Sequence, residues 1–364
     1  MGRLLFCCAL AMLVGCAEPN AGAAGAAAGA SSGDPDRVYR WKLITTWPKN
    51  LPALGTAPEL MAQRLRVMSN GRLDIRVYGA GELVGAFEVF DAVSQGTAEM
   101  GHGASYYWRG KIPVAAMFST VPFGMTAQEM NAWLYFGGGI ELWRELYQPF
   151  GLVPMAAGNS GTQMAGWFNK EINSLADMRG LKMRIPGLGG EVLERVGGSP
   201  VALPGSEVFS ALQMGVIDAA EWVGPFNDLA LGLHRAGKYY YYPGWQEPGP
   251  TLELMINKRA WDSLPPDLQM MVEAAARMIN DEMLAEFTAR NSTALQTMIE
   301  EHGVQIRRLP DDVLASLQAA SADVVRESAQ GDELSRRIYD SYMSFLEDAK
   351  RYQEVAEHAL LNAR

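Results

Sequence analysis

The sequence predicts an α/β protein built of two lobes, and an internal repeat is the main reason. Residues 89–100 (VFDAVSQGTAEM) recur as residues 208–219 (VFSALQMGVIDA), with valine, phenylalanine, alanine and glycine in register. Each copy is typical of a helix, a glycine that ends it and a buried strand. A chain of 364 residues with 48% hydrophobic composition is also long enough for two lobes with a large core. Chance similarity between two amphipathic helices is the alternative.

The units that precede the two copies also match, and this favours a true repeat. In each unit, alternating apolar segments typical of strands flank a helical segment. The segments are residues 40–47, 58–69 and 72–78 in the first unit, and residues 155–168, 175–179 and 181–185 in the second. We therefore expect a βαβ-type sheet flanked by helices in each lobe, with a ligand cleft at the carboxyl ends of the strands.

The remainder of the chain is predicted to be scaffold. Residues 251–258 alternate like a strand that returns to the first lobe. Pro265 and Pro266 open a long helical region that runs through Asn291, and the pattern after Pro310 is helical to the end. The predicted domains are lobe I in residues 38–155 and 250–300, lobe II in residues 156–249, and a region of long C-terminal helices in residues 301–364.

The N-terminal residues predict export from the cytoplasm. An apolar run over residues 4–14 is too short to span a membrane, and it ends in the letters LVGC, which fit a bacterial lipobox. Residues 1–16 are therefore predicted to be a lipoprotein signal peptide that ends at the lipidated Cys16. A plain secretory signal cut further along is the alternative. Residues 17–37 are rich in alanine, glycine and serine and predict a flexible linker.

The positions of the cysteines and the net charge limit the chemistry of the exported part and the partners that it can bind. All three cysteines, Cys7, Cys8 and Cys16, belong to the signal segment, so the exported part contains no disulfide and no thiol chemistry. The formal net charge of -10 argues against nucleic acid or an anionic lipid surface as a partner. We expect a periplasmic protein that is held at a membrane only by its lipid anchor, with a soluble periplasmic protein as the alternative.

Arg184 is the first candidate binding residue. It lies in residues 181–187 (LKMRIPG), an alternation typical of a short strand that Pro186 ends. A guanidinium at the end of a strand suits a pair of charge-assisted hydrogen bonds to a carboxylate. A salt bridge to an acidic residue of its own lobe is the alternative.

A second group of candidates supplies oxygen atoms. If Arg184 binds the carboxylate of a small acid, the second oxygen of that acid still needs a partner, and a hard cation would meet this need. Gln163 offers an amide oxygen, Glu221 a carboxylate and Trp222 a backbone carbonyl, a set typical of Ca²⁺ and compatible with Na⁺. For Glu221, a surface carboxylate that caps a turn is the alternative.

The repeat also indicates where the first lobe faces the cleft. Glu221 and Trp222 occupy the positions of His102 and Gly103 in the other copy, so both strand ends should face the cleft. Just beyond the first strand end, residues 105–108 (SYYW) offer a hydroxyl and an aromatic wall, and Tyr106 is the candidate substrate-binding residue among them. Packing of these aromatic side chains between helices is the alternative.

Two segments give the chain a resemblance to a known family. Residues 181–187 and 218–228 (DAAEWVGPFND) resemble the solute receptors of tripartite ATP-independent periplasmic (TRAP) transporters, in particular the branch that binds 2-oxo acids and lactate. The resemblance runs from about Tyr39 to Asn291. It implies a two-lobed periplasmic-binding-protein fold that binds a small 2-oxo or 2-hydroxy monocarboxylate with a cation and delivers it to TRAP membrane subunits.

The resemblance also implies roles for single residues. In the related receptors, residues that match Gln163, Glu221 and Trp222 hold an ion, Na⁺ or Ca²⁺, which the ligand chelates through its carboxylate and 2-oxygen. Glu247 matches a further ligand position of the ion. The substrate-binding residues are then Arg184, Gln163, Trp222 and Tyr106.

An assembly is implied in the same way. In the 2-oxo-acid branch a long C-terminal helix pairs two protomers, so the resemblance implies a homodimer. Here Tyr339, Tyr342 and Phe345 recur every three residues in that region, although such a stripe is usually intramolecular core.

Other functional classes have less support in the sequence. Residues 187–192 (GLGGEV) lack the last glycine of a dinucleotide fingerprint, and the four histidines have no metal-ligand spacing. A hydrolase that uses Glu221 and Glu247 as a carboxylate pair, and a sensory receptor with the same pocket, are the alternatives. The sequence therefore predicts a receptor and not an enzyme, and it leaves the identity of the acid and of the cation open.

Overall fold

The computed structural model describes residues 37–364, so the predicted lipidation site Cys16 and nearly all of the predicted linker lie outside the described residues. The described part contains a five-stranded and a six-stranded sheet. Its strands are β1 (Tyr39–Thr45), β2 (Leu73–Tyr78), β3 (Met100–Gly103), β4 (Leu152–Asn159), β5 (Gly166–Phe168), β6 (Lys182–Arg184), β7 (Ser199–Val201), β8 (Ala219–Ala220), β9 (Tyr239–Tyr242), β10 (Thr251–Asn257) and β11 (Gln305–Arg308).

Helices cover both sheets. They are α1 (Thr56–Met68), α2 (Val89–Ser94), α3 (Ala127–Phe136), α4 (Gly139–Tyr147), α5 (Gly187–Arg195), α6 (Gly205–Gln213), α7 (Pro225–Leu231), α8 (Lys258–Asp262), α9 (Pro266–Glu300), α10 (Asp311–Ser328), α11 (Glu333–Val355) and α12 (Glu357–Ala363). Within residues 37–364, no helix is both long enough and apolar enough to cross a membrane.

Each sheet contains a parallel core. The first sheet has the order β2-β1-β3-β10-β4, with β1 parallel to β2 and β3, and β10 antiparallel to both of its neighbours. All seven residues of β10 are buried, as expected for a strand between two others. The second sheet has the order β11-β9-β5-β8-β6-β7, with β6 parallel to β7 and β8. The predicted α/β architecture of two lobes is confirmed.

The two copies of the repeat fold alike. In the first copy α2 leads into β3, and in the second copy α6 leads into β8. Gly96 and Gly215 end the two helices with φ of 81° and 70°, the left-handed region that favours glycine. Both strands then add to the sheet in parallel, β3 beside β1 and β8 beside β6.

The structure differs from the predicted boundaries in two places. Residues 155–168, predicted to be one stretch of the second lobe, form β4 in the first sheet and β5 in the second, and the chain crosses between lobes only after Asn159. The stretch carries a polar run at residues 159–163 (NSGTQ) between two apolar segments, and the crossing begins at this run. In the predicted helical region, residues 305–308 form β11, because they pair in parallel with β9 at the edge of the second sheet.

Two chain segments cross between the sheets side by side. Residues 160–165 join β4 to β5, and residues 243–250 join β9 to β10. The hydroxyl of Thr162 donates to the carbonyl of Pro248 at 2.9 Å. A Cβ on Gly244 would lie 2.0 Å from the carbonyl oxygen of Gln163, so only glycine permits this close approach. We call these two segments the hinge strands.

The C-terminal aromatic stripe covers the protein's own first lobe. Tyr342 of α11 is fully buried, and its hydroxyl accepts a hydrogen bond of 2.9 Å from the backbone N–H of Met125. Its ring packs edge-on against Trp133 of α3 at 5.1 Å. Tyr339 and Phe345 pack partly buried against the same core. The stripe is therefore intramolecular core, which is the alternative stated above.

Candidate functional site

Five of the six candidate residues, all except Tyr106, lie in the second lobe or the hinge strands, and the fold brings them to one edge of the second sheet. Arg184 ends β6, and Glu221 directly follows β8. Because β6 and β8 are parallel neighbours, with Arg184 opposite Ala220, their carboxyl ends meet. The backbone N–H of Glu221 donates to the carbonyl of Arg184 at 2.9 Å, which fixes the two ends together.

Asp228 holds the loop that carries Glu221 and Trp222. Its buried carboxylate accepts hydrogen bonds from the backbone N–H groups of Val223 and Gly224, at 3.3 and 3.1 Å. The indole of Trp167 and the hydroxyl of Tyr240 donate to its other oxygen, at 2.9 and 2.8 Å. Burial raises the pKa of Asp228 to about 6 in spite of these donors. These hydrogen bonds hold the loop after β8 in one conformation.

Arg184 is buried, and most of its donors are already used. Its Nε donates to the carbonyl of Leu203 at 3.2 Å, and its Nη1 donates to the carbonyl and the Oε2 of Glu221, both at 2.9 Å. Its Nη2 faces the hydroxyl of Tyr107 at 3.4 Å. The alternative of a salt bridge within its own lobe is therefore realised. Nη2 can therefore donate to a ligand carboxylate, but the guanidinium cannot bind it with two nitrogens at once, because Nε and Nη1 already donate to the protein.

Three buried oxygen atoms beside this arginine have no hydrogen-bond partner. They are Oε1 of Gln163, Oε1 of Glu221 and Oε2 of Glu247. The other end of the Gln163 amide is anchored, because its Nε2 donates to the hydroxyl of Ser160 at 3.1 Å. Buried polar atoms without a partner are costly and rare, so a set of three in one place calls for a further binding partner.

The pKa values of the carboxyl groups of Glu221 and Glu247 also support a bound cation at this place. Burial raises the pKa of Glu221 to about 8, although Arg184 opposes the change. Burial, and then the neighbouring Glu221, raises the pKa of Glu247 well above its usual range. A bound cation would favour the charged form of both groups.

The donor set fits a hard cation. It offers two carboxylate oxygens and one amide oxygen, with the backbone carbonyl of Trp222 in the same loop, and this is the chemistry of Ca²⁺ or Na⁺ sites. Within residues 37–364 no group of three or more histidine, cysteine, aspartate and glutamate side chains could hold a metal ion. The all-oxygen donor set fits the predicted hard cation, because transition metals favour nitrogen and sulfur ligands.

Aromatic side chains of the first lobe cover the site. Tyr106 lies against the start of α5, where a Cβ on Gly187 would be 3.2 Å from its own Cβ. Burial, then Glu247, raises the pKa of Tyr106 well above its usual range, so its hydroxyl stays protonated. The indole of Trp47 meets that of Trp222 edge-on at 6.4 Å, and the guanidinium of Arg184 lies 5.0 Å from the Trp222 ring centre.

Comparisons with known proteins identify the family at this point. The model of the family described as bacterial extracellular solute-binding protein, family 7, matches residues 43–332. The chain belongs to this family. A relative from Nostoc sp., a monocarboxylate 2-oxoacid-binding periplasmic protein, is 43% identical over 318 residues, which cover 87% of each chain.

Solved structures of TRAP periplasmic solute-binding proteins are also similar to this family 7 protein. One from Pseudoalteromonas atlantica, with bound sodium and pyruvate, is 42% identical with a TM-score of 0.87 over 90% of this chain and 100% of that chain. One from Colwellia psychrerythraea, with bound calcium and pyruvate, is 40% identical with a TM-score of 0.87 over the same shares. One from Bordetella bronchiseptica, a mixed-occupancy dimer with calcium and picolinate, is 38% identical with a TM-score of 0.88 over 90% and 97%.

Family membership settles the class of function. This family 7 protein is a TRAP solute-binding receptor and not an enzyme, and it acts outside the cytoplasm. Glu221 and Glu247 are therefore not the acid pair of a hydrolase.

The sequence did not single out two residues of the family 7 site. Tyr107 contacts Arg184, and Trp47 contacts Trp222 across the cleft. Trp47 is the second residue after β1, so the rule that ligands lie at strand ends could have found it. Its indole N–H donates to Nδ1 of His102 at 2.9 Å, and burial lowers the pKa of His102 to about 4, which keeps that nitrogen an acceptor. No pattern in the sequence distinguishes Tyr107 from Tyr106.

Proposed function

We propose that this receptor binds a small 2-oxo or 2-hydroxy monocarboxylate, such as pyruvate or lactate, together with Na⁺ or Ca²⁺, and delivers it to TRAP membrane subunits. The observation that carries the proposal is the set of three unpartnered buried oxygen atoms on Gln163, Glu221 and Glu247, next to the guanidinium of Arg184. Relatives of 40% and 42% identity with bound pyruvate, one with calcium and one with sodium, support it.

Each residue has a defined task in this proposal. Gln163, Glu221, Glu247 and the carbonyl of Trp222 would hold the cation, which when bound supplies positive charge to the carboxylate and 2-oxygen of the acid. Arg184 adds one charge-assisted hydrogen bond through Nη2. The protonated hydroxyl of Tyr106 is available as a donor from the first lobe. Because the acid then touches both lobes, its binding favours the closed form.

The identity of acid and cation can be tested on the protein as purified. Native mass spectrometry before and after exhaustive chelation would give the masses of both retained species. We expect a loss that corresponds to one cation and one small monocarboxylic acid. Calorimetry with pyruvate, lactate and a dicarboxylate then ranks the acids, and binding of the dicarboxylate alone would contradict the proposal.

We further propose that the receptor is a lipoprotein anchored through Cys16, with a soluble periplasmic protein as the alternative. The lipobox letters that end at Cys16 support the anchor. Metabolic labelling with a fatty acid should mark the wild-type protein and leave Cys16→Ser unlabelled. A wild-type protein that takes up no label would favour the soluble alternative.

We also propose that the receptor forms a homodimer through the end of its C-terminal helices. Beyond the buried stripe, the end of α11 and α12 leave Tyr352, Val355, Leu360 and Leu361 exposed by 53% or more. Apolar side chains of this size that cluster at a surface mark a site of association. The relative from Bordetella bronchiseptica is described as a dimer, which supports a second copy as the partner.

A further inference from the structure

Arg109 connects the two lobes beside the candidate site. It follows the short helical turn Ser105–Trp108 of the first lobe, and its Nη1 donates to the carbonyl of Gly187 at 3.1 Å. The same nitrogen forms an ion pair with Glu191. Gly187 and Glu191 both belong to α5 of the second lobe. The side chain of Arg109 therefore contacts the opposite lobe through two independent acceptors.

This ion pair has no equivalent in the described part of the molecule. Among the ion pairs of residues 37–364, it alone joins residues 37–159 to residues 160–250. All others lie within one of these two parts or involve residues after 250. Because its partners belong to opposite lobes, the pair forms only when the lobes are in contact.

The position of the pair links it to the ligand site without making it part of that site. Gly187 is three residues after Arg184, and it packs directly against Tyr106 of the first lobe. Arg109 thus holds the start of α5 against the turn that carries Tyr106 and Tyr107. Both of these tyrosines belong to the wall of the site, whereas Arg109 and Glu191 are about one third exposed, with side-chain exposures of 35% and 39%.

We propose that Arg109 is a positioning residue that prolongs the residence of the bound acid by stabilising the closed form. The inference rests on the proposed function, since it requires an acid to be enclosed. Contacts that exist only in the closed form shift the opening equilibrium and slow dissociation, while they affect association little. Partly exposed ion pairs are weak and are screened by salt, so the effect is moderate and ionic-strength dependent.

The test compares the release of radiolabelled pyruvate into excess unlabelled pyruvate, in buffer that contains Ca²⁺ and Na⁺. For Arg109→Gln, we expect dissociation to be faster by about threefold to tenfold at low salt, from the loss of the ion pair and of the charge-assisted bond to Gly187. Glu191→Gln loses only the ion pair, so its increase should be smaller. Association should change by less than about twofold. The difference from wild type should shrink at high salt.

Two further variants make the result specific. The exchanged pair Arg109→Glu with Glu191→Arg should restore much of the slow dissociation. Arg195→Gln is the matched control, because Arg195 lies on the same helix and pairs with Glu327 away from the cleft; it should dissociate like wild type. Dissociation of Arg109→Gln equal to that of Arg195→Gln would overturn this inference alone. A wild-type protein that binds no 2-oxo acid would overturn the proposed function as well.

Discussion

The backbone N–H of Gln163 donates to the carbonyl of Glu247 at 3.1 Å, so the two residues are joined where the hinge strands run side by side. Each also carries one of the unpartnered buried oxygen atoms. A cation bound between them would therefore hold together the two segments that connect the lobes. Its affinity and the closure of the lobes should depend on each other.

Glu247→Gln should weaken cation binding while the cation-free protein remains folded. Burial and the neighbouring Glu221 disfavour the charged form of Glu247 when no cation is bound, so a neutral amide is tolerated there, and the pair of Arg184 and Glu221 stays intact. We expect cation affinity to fall by about tenfold to hundredfold, because a contact to a charged group contributes roughly 1.5–3 kcal/mol. Calorimetric titration of the chelated protein with Ca²⁺ and with Na⁺ measures it.

The affinity for pyruvate should also depend on the cation, because two ligands that bind together change each other's affinity by the same factor. Wild-type affinity for pyruvate should fall after chelation in sodium-free buffer by the factor by which pyruvate raises cation affinity. Glu194→Gln removes an equal charge from the exposed side of α5 and serves as the control. If Glu247→Gln and the ion-stripped wild type bind pyruvate with full affinity, no cation bridges protein and acid.

Arg184→Lys should weaken ligand binding by this residue while it keeps the charge pair with Glu221. The nitrogens Nε, Nη1 and Nη2 of Arg184 face Leu203, Glu221 and the ligand side separately, and a single ammonium nitrogen cannot occupy all three positions, although it keeps the charge that Glu221 needs. We expect pyruvate affinity to drop by about tenfold or more with the protein still folded, whereas Arg184→Ala leaves a buried carboxylate unpaired and costs about 3–5 kcal/mol of stability.

Calorimetry and urea denaturation measure the two effects separately. Arg195→Lys on the neighbouring helix is the control for the arginine-to-lysine change. Unaltered affinity in Arg184→Lys would mean that the carboxylate is bound by other residues.

Glu253→Gln should make the stability of the protein less dependent on pH. Glu253 is fully buried in β10, where Trp108 and Tyr147 donate to its two oxygens, and burial raises its pKa to about 7. A raised folded-state pKa means that its contribution to stability is complete below pH 4.5 and is lost as the pH rises to about 7. Glutamine can accept from Trp108 and donate to Tyr147, so it imitates the protonated form.

We expect the variant to exceed wild type by about 3 kcal/mol at pH 8 and to match it near pH 4.5, from the size of the pKa shift. Urea denaturation in the presence of a chelator, at several pH values, measures the difference. Parallel pH profiles for the two proteins would show that Glu253 is ionised in the folded state at little cost.

Tyr352→Ser combined with Leu361→Ser should convert the proposed dimer to a monomer. Both side chains are exposed by more than half and lie beyond the buried part of α11, so their loss should leave the fold of the first lobe intact. Light scattering at micromolar concentration gives the oligomeric state. Met270→Ser, which removes a side chain exposed by 70% on α9, is the control. A wild-type protein that is monomeric at this concentration would contradict the proposed homodimer.

The sequence predicted the second-lobe half of the site better than the rest. Arg184 and Glu221 each end a short segment whose strand pattern is readable, and parallel neighbours must end at the same edge. Their direct pairing was not predictable, because it depends on which strands are adjacent in the sheet. The crossing of the first hinge strand was missed because both sides of it are apolar, although the polar run at residues 159–163 (NSGTQ) is a loop signal that could have marked it.

The edge contact between Trp47 and Trp222 gives the receptor an optical reporter of its own. The two indoles belong to opposite lobes and lie 6.4 Å apart. Indole emission responds to its immediate surroundings, and opening of the cleft would expose both rings to water at once. Ligand-induced closure should therefore change the intrinsic fluorescence without any attached dye, and Trp47→Phe should reduce that change to the part that Trp222 contributes while it leaves an aromatic ring in the wall.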